Sequence, residues 1–377
     1  MKVKIAVNTR LLLENKLEGI GWFTFETLRR ITKNHPEHQF YFLFDRPYSQ
    51  EFVFAANVTP LHIGLPARHP ILFYLWFEYS VQHALRKIGA DLFLSTDGYL
   101  SLDTATRSIP VIHDINFEHY PEQLPLLTRK YYKHFFPKFA RKAIRIATVS
   151  DFSKADIVSK YGINEDNIDV VYNGANEMYM PTSDDAKTLS RKKYAMGYPF
   201  FLFIGSLLPR KNIANLFRAF DLFRAGSEKK VKLMIIGEKK WWTKEIESAF
   251  NEMKFKKDVI FKGHTAPEEL KDIIPAAMAM TYVSFFEGFG IPIIEAMKCG
   301  TPVITSNTSC MPEIAGGAAL LCDPDSPDSI AQKMVEVANS PDENDSLIAQ
   351  GIERAKAFSW DITAEKLWIS MEKVMGL

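Results

Sequence analysis

Two carboxylates and two cations in the second half of the chain are spaced as if to hold an anion. The stretch Tyr282-Val-Ser-Phe-Phe-Glu287-Gly-Phe-Gly-Ile-Pro-Ile-Ile-Glu295-Ala-Met-Lys-Cys-Gly300 carries the carboxylates. Its β-branched and aromatic lead-in, from Thr281 to Phe286, predicts a buried strand. Glu287-Gly288-Phe289-Gly290 then forms a flexible turn. Pro292 falls in the first turn of a helix, where its missing amide has no partner to lose. Gly300 suits a left-handed cap at the other end. Amides 288–291 are thus expected at an open helix N-terminus, which favours anions, phosphate above all. Taken singly, Glu287 and Glu295 read most simply as helix-start charges. Together, around a Gly-x-Gly turn, they point to a ligand. The cations come earlier. Phe200–Ile204 is a continuous apolar run, as in a strand covered on both faces. It leads through Gly205-Ser-Leu-Leu-Pro-Arg210-Lys211-Asn212 into a helix over 213–223. Cations at a helix start oppose its dipole, so Arg210 and Lys211 make more sense with an anion bound between them.

The Glu287–Glu295 stretch resembles the paired-glutamate signature of retaining glycosyltransferases of family 4 (glycosyl transferases group 1), whose two Rossmann-like domains face a cleft. The resemblance is dense over 200–325, looser over 105–175 and weak before 100. It implies an α/β fold with two doubly wound domains, the GT-B architecture. It also implies that Glu287 contacts the donor sugar, that Gly288, Phe289, Gly290 and Ile291 approach sugar and diphosphate, and that Glu295 bonds the ribose. Arg210 and Lys211 would stabilise the departing diphosphate in place of a metal, beside Gly205. The loop at Gly263 and His264 would meet the nucleobase through its backbone; a catalytic role for His264 is the weaker reading.

In the first half, Val3 to Val7 reads as a strand, residues 9–21 as a loop containing Gly19-Ile20-Gly21, and Trp22 to Thr32 as a helix. A full dinucleotide fingerprint needs Gly or Ala three residues after the second glycine, where this chain has Thr24, so an oxidoreductase is demoted. Gly19 and Gly21 still allow close backbone approach to a ligand, and relatives place a similar loop by the donor phosphates and acceptor. Ile109–Ile112 is a strand ending at His113-Asp114, and open α/β sheets bind ligands at such carboxyl ends. The pair resembles the family motif in which the histidine lies against the donor sugar; Asp114 reads as a loop brace. The helix over 70–83 is aromatic-rich and expected in the core. The segment 127–145 carries seven Lys and Arg and no acid, with five aromatics interleaved. It is a solvated face, an acceptor-side wall, or a peripheral contact with anionic lipid.

Composition sets the outer bounds. The 377 residues are more than one usual core holds, and 47% hydrophobic with 24% charged residues is ordinary for a globular protein. Forty-six Lys and Arg against 45 Asp and Glu leave no basic excess, and no recognition module for nucleic acid stands out. The three cysteines lack metal spacing and read as buried thiols in a reducing compartment. The opening residues read as a strand rather than a signal peptide, and no apolar run approaches the roughly 20 residues of a membrane helix. The expected location is cytoplasmic, possibly peripheral at the inner membrane face. Asp323-Pro-Asp325 sits in a proline-rich turn, so neither metal nor cofactor is expected.

The domain expectation is 1–183, 184–357, and a terminal helical segment 358–377 that returns to the first domain. The expected activity is transfer of a hexose, of mannose or glucose type, from a nucleoside diphosphate sugar to a glycan or glycolipid hydroxyl, with retention. Cell-surface polysaccharide or glycolipid synthesis is the setting the resemblance suggests. A glycoside phosphorylase of the same fold and a non-catalytic nucleotide-sugar-binding protein are the alternatives.

Overall fold

The computed structural model describes residues 2–14 and 16–376, which form two units. The first runs to Asn173 and takes in the chain from Trp360; the second is Gly174–Ser359. The division thus falls at 173/174, not at the expected 183/184, because the polar stretch after Asn173 is anchored in the second unit. Ala175 N donates to Phe358 O (3.3 Å), Lys298 Nζ donates to Asn176 O (2.9 Å), and Tyr179 is buried.

The first unit holds strands β1 (Lys4–Asn8), β2 (Gln39–Phe44), β3 (Val58–His62), β4 (Leu92–Ser95), β5 (Arg107–Pro110), β6 (Ile146–Thr148) and β7 (Ile168–Val170). Five form a parallel sheet in the order β3-β2-β1-β4-β5. The β6–β7 pair joins it through a parallel bridge between Val111 and Ala147. The sequence reading had no β3. Pro60 sits inside it, which is tolerable only because β3 is an edge strand. The helix expected from Trp22 begins at Gly19 and runs to Asn34, so Gly19 and Gly21 occupy its first turn, not the loop before it. The aromatic segment at 70 is a helix to Leu75, a π-turn over Trp76–Val81 and a further helix Gln82–Ile88. Trp76, Phe77 and Val81 enter the core as expected, but Ile71, Tyr74, Leu75 and Tyr79 face outward. The terminal helix, Trp360–Met375, docks on the first helix: Arg30 Nε donates to Asp361 Oδ1 (2.5 Å), and Trp360 meets Phe23 edge-on.

The second unit holds β8 (Phe200–Ile204), β9 (Lys232–Ile236), β10 (Val259–Gly263), β11 (Ala279–Tyr282), β12 (Val303–Ser306) and β13 (Leu320–Cys322). All pair in parallel, in the order β10-β9-β8-β11-β12-β13. Every residue of β9, β11 and β12, and all of β8 but Ile204, is buried, as a sheet covered by helices on both faces requires. The order reverses between β8 and β11, and a doubly wound sheet opens a crevice there, at the carboxyl ends of its strands.

Three glycines line those ends. Gly205 N donates to Ile236 O, and Gly237 N donates to Gly263 O (both 2.9 Å). At Gly237, φ is +152°, and a Cβ would lie 2.0 Å from the Gly205 carbonyl oxygen. At Gly263, φ is +69° and a Cβ would meet nothing within 4 Å. Gly237→Ala should therefore unfold the second unit or lower its melting temperature severely. Gly263→Ala should show only the milder cost of a left-handed alanine, about 1–2 kcal/mol. Paired thermal melts check the ranking.

Candidate active site

The loops after β8 and β11 are stitched together by one backbone hydrogen bond and by the side chains of Arg210 and Asn212. Phe285 N donates to Arg210 O (2.8 Å), Arg210 Nη1 donates to Phe286 O (3.0 Å), and Asn212 Nδ2 donates to Val283 O (2.9 Å) and Pro324 O (2.7 Å). Asn212 holds a left-handed φ of +61°, which lets the tight turn Pro209–Lys211 feed directly into the helix Ile213–Ala225. Asparagine tolerates that region better than most residues, so this anchor was open to prediction and was missed.

The stitching brings Glu287 against both cations. Arg210 Nη1 lies 2.9 Å from one carboxylate oxygen and Lys211 Nζ 2.5 Å from the other. Lys211 also donates to the Tyr282 hydroxyl (2.6 Å). Lys211 and Glu287 are only 7% and 5% exposed. Burial alone would raise the Glu287 carboxyl, but Lys211 and Arg210 outweigh it and hold it down at about 2. Both cations thus meet one carboxylate in an enclosed place, where charges interact far more strongly than they would in water.

Glu287 also opens the turn to the helix Ile291–Lys298. Gly290 is its N-cap at φ +92°, and Gly300 closes the far end at φ +68°, as expected of a left-handed cap. Among the described residues, the amides of Gly290 and Ile291 have no acceptor. One turn on, Glu295 is partly buried, and its carboxylate has no hydrogen-bond partner there either. Desolvation pushes it up to about 8, with Lys298 offsetting only part of the rise.

His113 belongs to the first unit. Its Nε2 lies 2.9 Å from the Thr96 carbonyl oxygen, and its ring stands edge-on to Phe23 at 4.9 Å. Facing a carbonyl, Nε2 must carry the proton, and burial keeps the ring below its ordinary pKa. His113 is therefore a neutral imidazole with Nδ1 as an acceptor. Asp114 braces the loop by accepting from Asn116 N (3.0 Å). The 95–97 turn that carries Thr96 is held by a buried group the sequence reading missed. Asp97 accepts from Asn8 (2.7 Å) and pairs with Arg10 (2.5 Å), whose guanidinium lies over the Tyr99 ring at 4.5 Å. No local motif marks these residues; only the sheet order, which sets β1 beside β4, brings them together. His264 is exposed beside Gly263. Asp323-Pro-Asp325 is a turn in which Asp323 accepts from Asp325 N (2.9 Å). Cys299, Cys310 and Cys322 are buried free thiols.

Residues 17–177 match the family model described as Glycosyltransferase Family 4, and residues 185–354 match the model described as Glycosyl transferases group 1. An Escherichia coli O-antigen chain mannosyltransferase B is 30% identical over 256 residues, 68% of this chain and 67% of that protein. The chain belongs to glycosyltransferase family 4. The O-antigen chain mannosyltransferase RfbU of Salmonella typhimurium is 26% identical over 71% of this chain and 72% of its own. Among solved structures, a Thermosynechococcus elongatus sucrose-phosphate synthase superposes at a TM-score of 0.80 over 99% of both chains, at 16% identity. Anabaena HepE in complex with UDP-glucose does so at 0.76, over 98% of this chain and all of its own, at 15% identity. These likenesses establish the GT-B fold of the glycosyltransferase.

An unpartnered, partly buried carboxyl burdens the unliganded fold. The folded enzyme binds the Glu295 proton more tightly than the unfolded chain does. Its stability should therefore fall as pH rises from about 4.5 to about 8. Glu295→Gln removes that dependence, so the variant should melt higher than wild type at pH 8 while losing most of its transfer activity. Thermal melts across the pH range, read beside turnover, check both halves.

Proposed function

We propose that this glycosyltransferase moves a mannosyl group from a nucleoside diphosphate mannose to a hydroxyl of a growing cell-surface polysaccharide, with retention at the anomeric carbon. The observation that carries the reading is the Arg210–Lys211–Glu287 cluster at the switch point of the second sheet, beside the open amides of Gly290 and Ile291. The choice of mannose and of polysaccharide is supported by the O-antigen mannosyltransferases to which the chain is similar.

In the proposed reaction the bond between the sugar's anomeric carbon and the phosphate oxygen breaks, and one to the acceptor oxygen forms on the same face. The sugar passes through an oxocarbenium-like state as negative charge gathers on the diphosphate. Arg210, Lys211 and the loop amides meet that charge with donors already in place. Glu287 holds the two cations and keeps lone pairs for a sugar hydroxyl. Glu295 takes the ribose, and the Gly263–His264 backbone meets the base; in the first unit, His113 presents Nδ1 as a hydroxyl acceptor. Gly19 and Gly21 would let the first-unit backbone approach the nucleotide sugar closely. No side chain is assigned as nucleophile; the leaving phosphate accepts the acceptor's proton. The reaction as written needs neither metal nor cofactor.

The acceptor side carries a second feature. The helix Leu126–Lys142 presents Arg129, Lys130, Lys133, Lys138, Arg141 and Lys142, with Leu126 and Leu127 exposed at its start. Phe135 on it meets Tyr74 at 5.8 Å, next to the outward-facing Ile71, Leu75 and Tyr79. Cations beside exposed apolar side chains suit an anionic lipid surface, so we place the enzyme peripherally at the inner membrane face.

Of UDP, GDP and ADP, at least one should raise the melting temperature; a ligand at 100 times its dissociation constant adds about 2.7 kcal/mol. The matching mannose donor should yield a product with its anomeric configuration retained by NMR, and Lys211→Ala should abolish turnover without unfolding the protein. If none of the three nucleotides shifts the melt, the donor site is misassigned. Separately, the enzyme should sediment with phosphatidylglycerol vesicles at low salt and not with phosphatidylcholine. Lys130→Glu with Lys133→Glu should release it.

A further inference from the structure

The end of β12 and the loop after it run Thr305-Ser-Asn-Thr-Ser-Cys310, and five of these six side chains bond the backbone of residues 282–289. Thr305 Oγ1 donates to Tyr282 O (2.8 Å), Ser306 Oγ to Ser284 O (2.6 Å) and Thr308 Oγ1 to Phe285 O (3.2 Å). Ser309 Oγ accepts from Glu287 N (3.2 Å), and Cys310 Sγ–H donates to Phe289 O (3.2 Å). The contacts run in register from the end of β11 to the turn before the Ile291–Lys298 helix. Ser309 adopts φ +52°, a conformation that non-glycine residues keep only where their surroundings enforce it.

The last two contacts govern the groups that face the donor. A trans peptide sets C=O and N–H on opposite sides of its plane. Cys310 is fully buried, and by drawing the Phe289 carbonyl toward itself it turns the Gly290 amide the other way. Ser309 fixes the Glu287 amide, at the residue whose carboxylate clamps Arg210 and Lys211. We propose that Thr305–Cys310 is a template that sets the shape of the donor loop, with Ser309 and Cys310 as positioning residues that aim the Gly290 amide and Glu287 at the terminal phosphate. The inference rests on the donor-site reading above.

The test measures binding of UDP, GDP and ADP, and of their monophosphates, to the full chain by calorimetry. Three variants are compared with wild type. Cys310→Ala and Cys310→Ser both lose the sulfur's packing, but only serine keeps a donor. Ser309→Gly loses the hydroxyl and removes the backbone strain. Hydrogen bonds to charged groups are worth enough that Cys310→Ala should weaken diphosphate binding on the order of tenfold, with monophosphate binding little changed. Cys310→Ser should recover most of the loss. Ser309→Gly should show the same selective loss while melting no lower than wild type without ligand. The template is overturned if wild type binds a diphosphate and the variants match it, or if they lose both nucleotides alike. Wild type that binds no diphosphate would remove the donor-site reading itself.

Discussion

The second unit depends on one enclosed carboxylate. Glu287 can stay ionised out of water only because Arg210 and Lys211 reach it from the loop of another strand. An unpaired charge in that place would cost several kcal/mol. The pairing thus fixes the distance between the β8 and β11 loops as well as their charge. The cluster lies beside the start of a helix whose first amides are unoccupied among the described residues. The two cations and the oriented amides are already held in place on one spot, the property that makes preorganised sites effective.

The sheet order explains why this spot exists. In the order β10-β9-β8-β11-β12-β13, the connections from β8 and β11 leave in opposite directions, so their loops part and open a crevice. Gly205, Gly237 and Gly263 stand at the neighbouring carboxyl ends of β8, β9 and β10. Gly237 is the constrained member, because only a hydrogen fits against the Gly205 carbonyl. The first unit repeats the pattern: β1 and β4 diverge, and Asn8, Arg10 and Asp97 fill the space between them with a paired, hydrogen-bonded network. That network supports Thr96, and through the Thr96 carbonyl it sets which nitrogen of His113 bears the proton.

Much of this was legible in the sequence, for local reasons. Continuous apolar runs such as Phe200–Ile204 are strands buried on both faces, and Pro292 and Gly300 bracket a helix whatever surrounds it. Arg210 and Lys211 were conspicuous because they stand where the helix dipole disfavours them. What escaped depends on contacts across the fold or on ambiguous punctuation. Pro60 hid an edge strand. Gly19 and Gly21 read as loop yet lie in a helical turn, since glycine reports freedom rather than a particular conformation. The polar stretch after Asn173 is pinned at Asn176 and Tyr179, which moves the boundary earlier than its composition suggests. Residues 305–310 gave no chemical signal, because small polar side chains acquire meaning only from the carbonyls opposite them.

Glu287 and Glu295 lie on one loop–helix unit, yet their environments drive them apart: one is held at about 2 and the other pushed to about 8. The same helix N-terminus cannot account for both, because its dipole would favour the charged form of each. The difference lies in partners. Glu287 has its counterions built in, so its role is structural as much as chemical, and it is satisfied before any ligand binds. Glu295 is desolvated with only partial compensation from Lys298, and a carboxyl in that position costs stability that a glutamine or an apolar residue would not. In the proposed reaction the missing partner arrives with the substrate. A neutral carboxyl both donates and accepts, which matches a vicinal diol, and the ribose of a nucleotide is one.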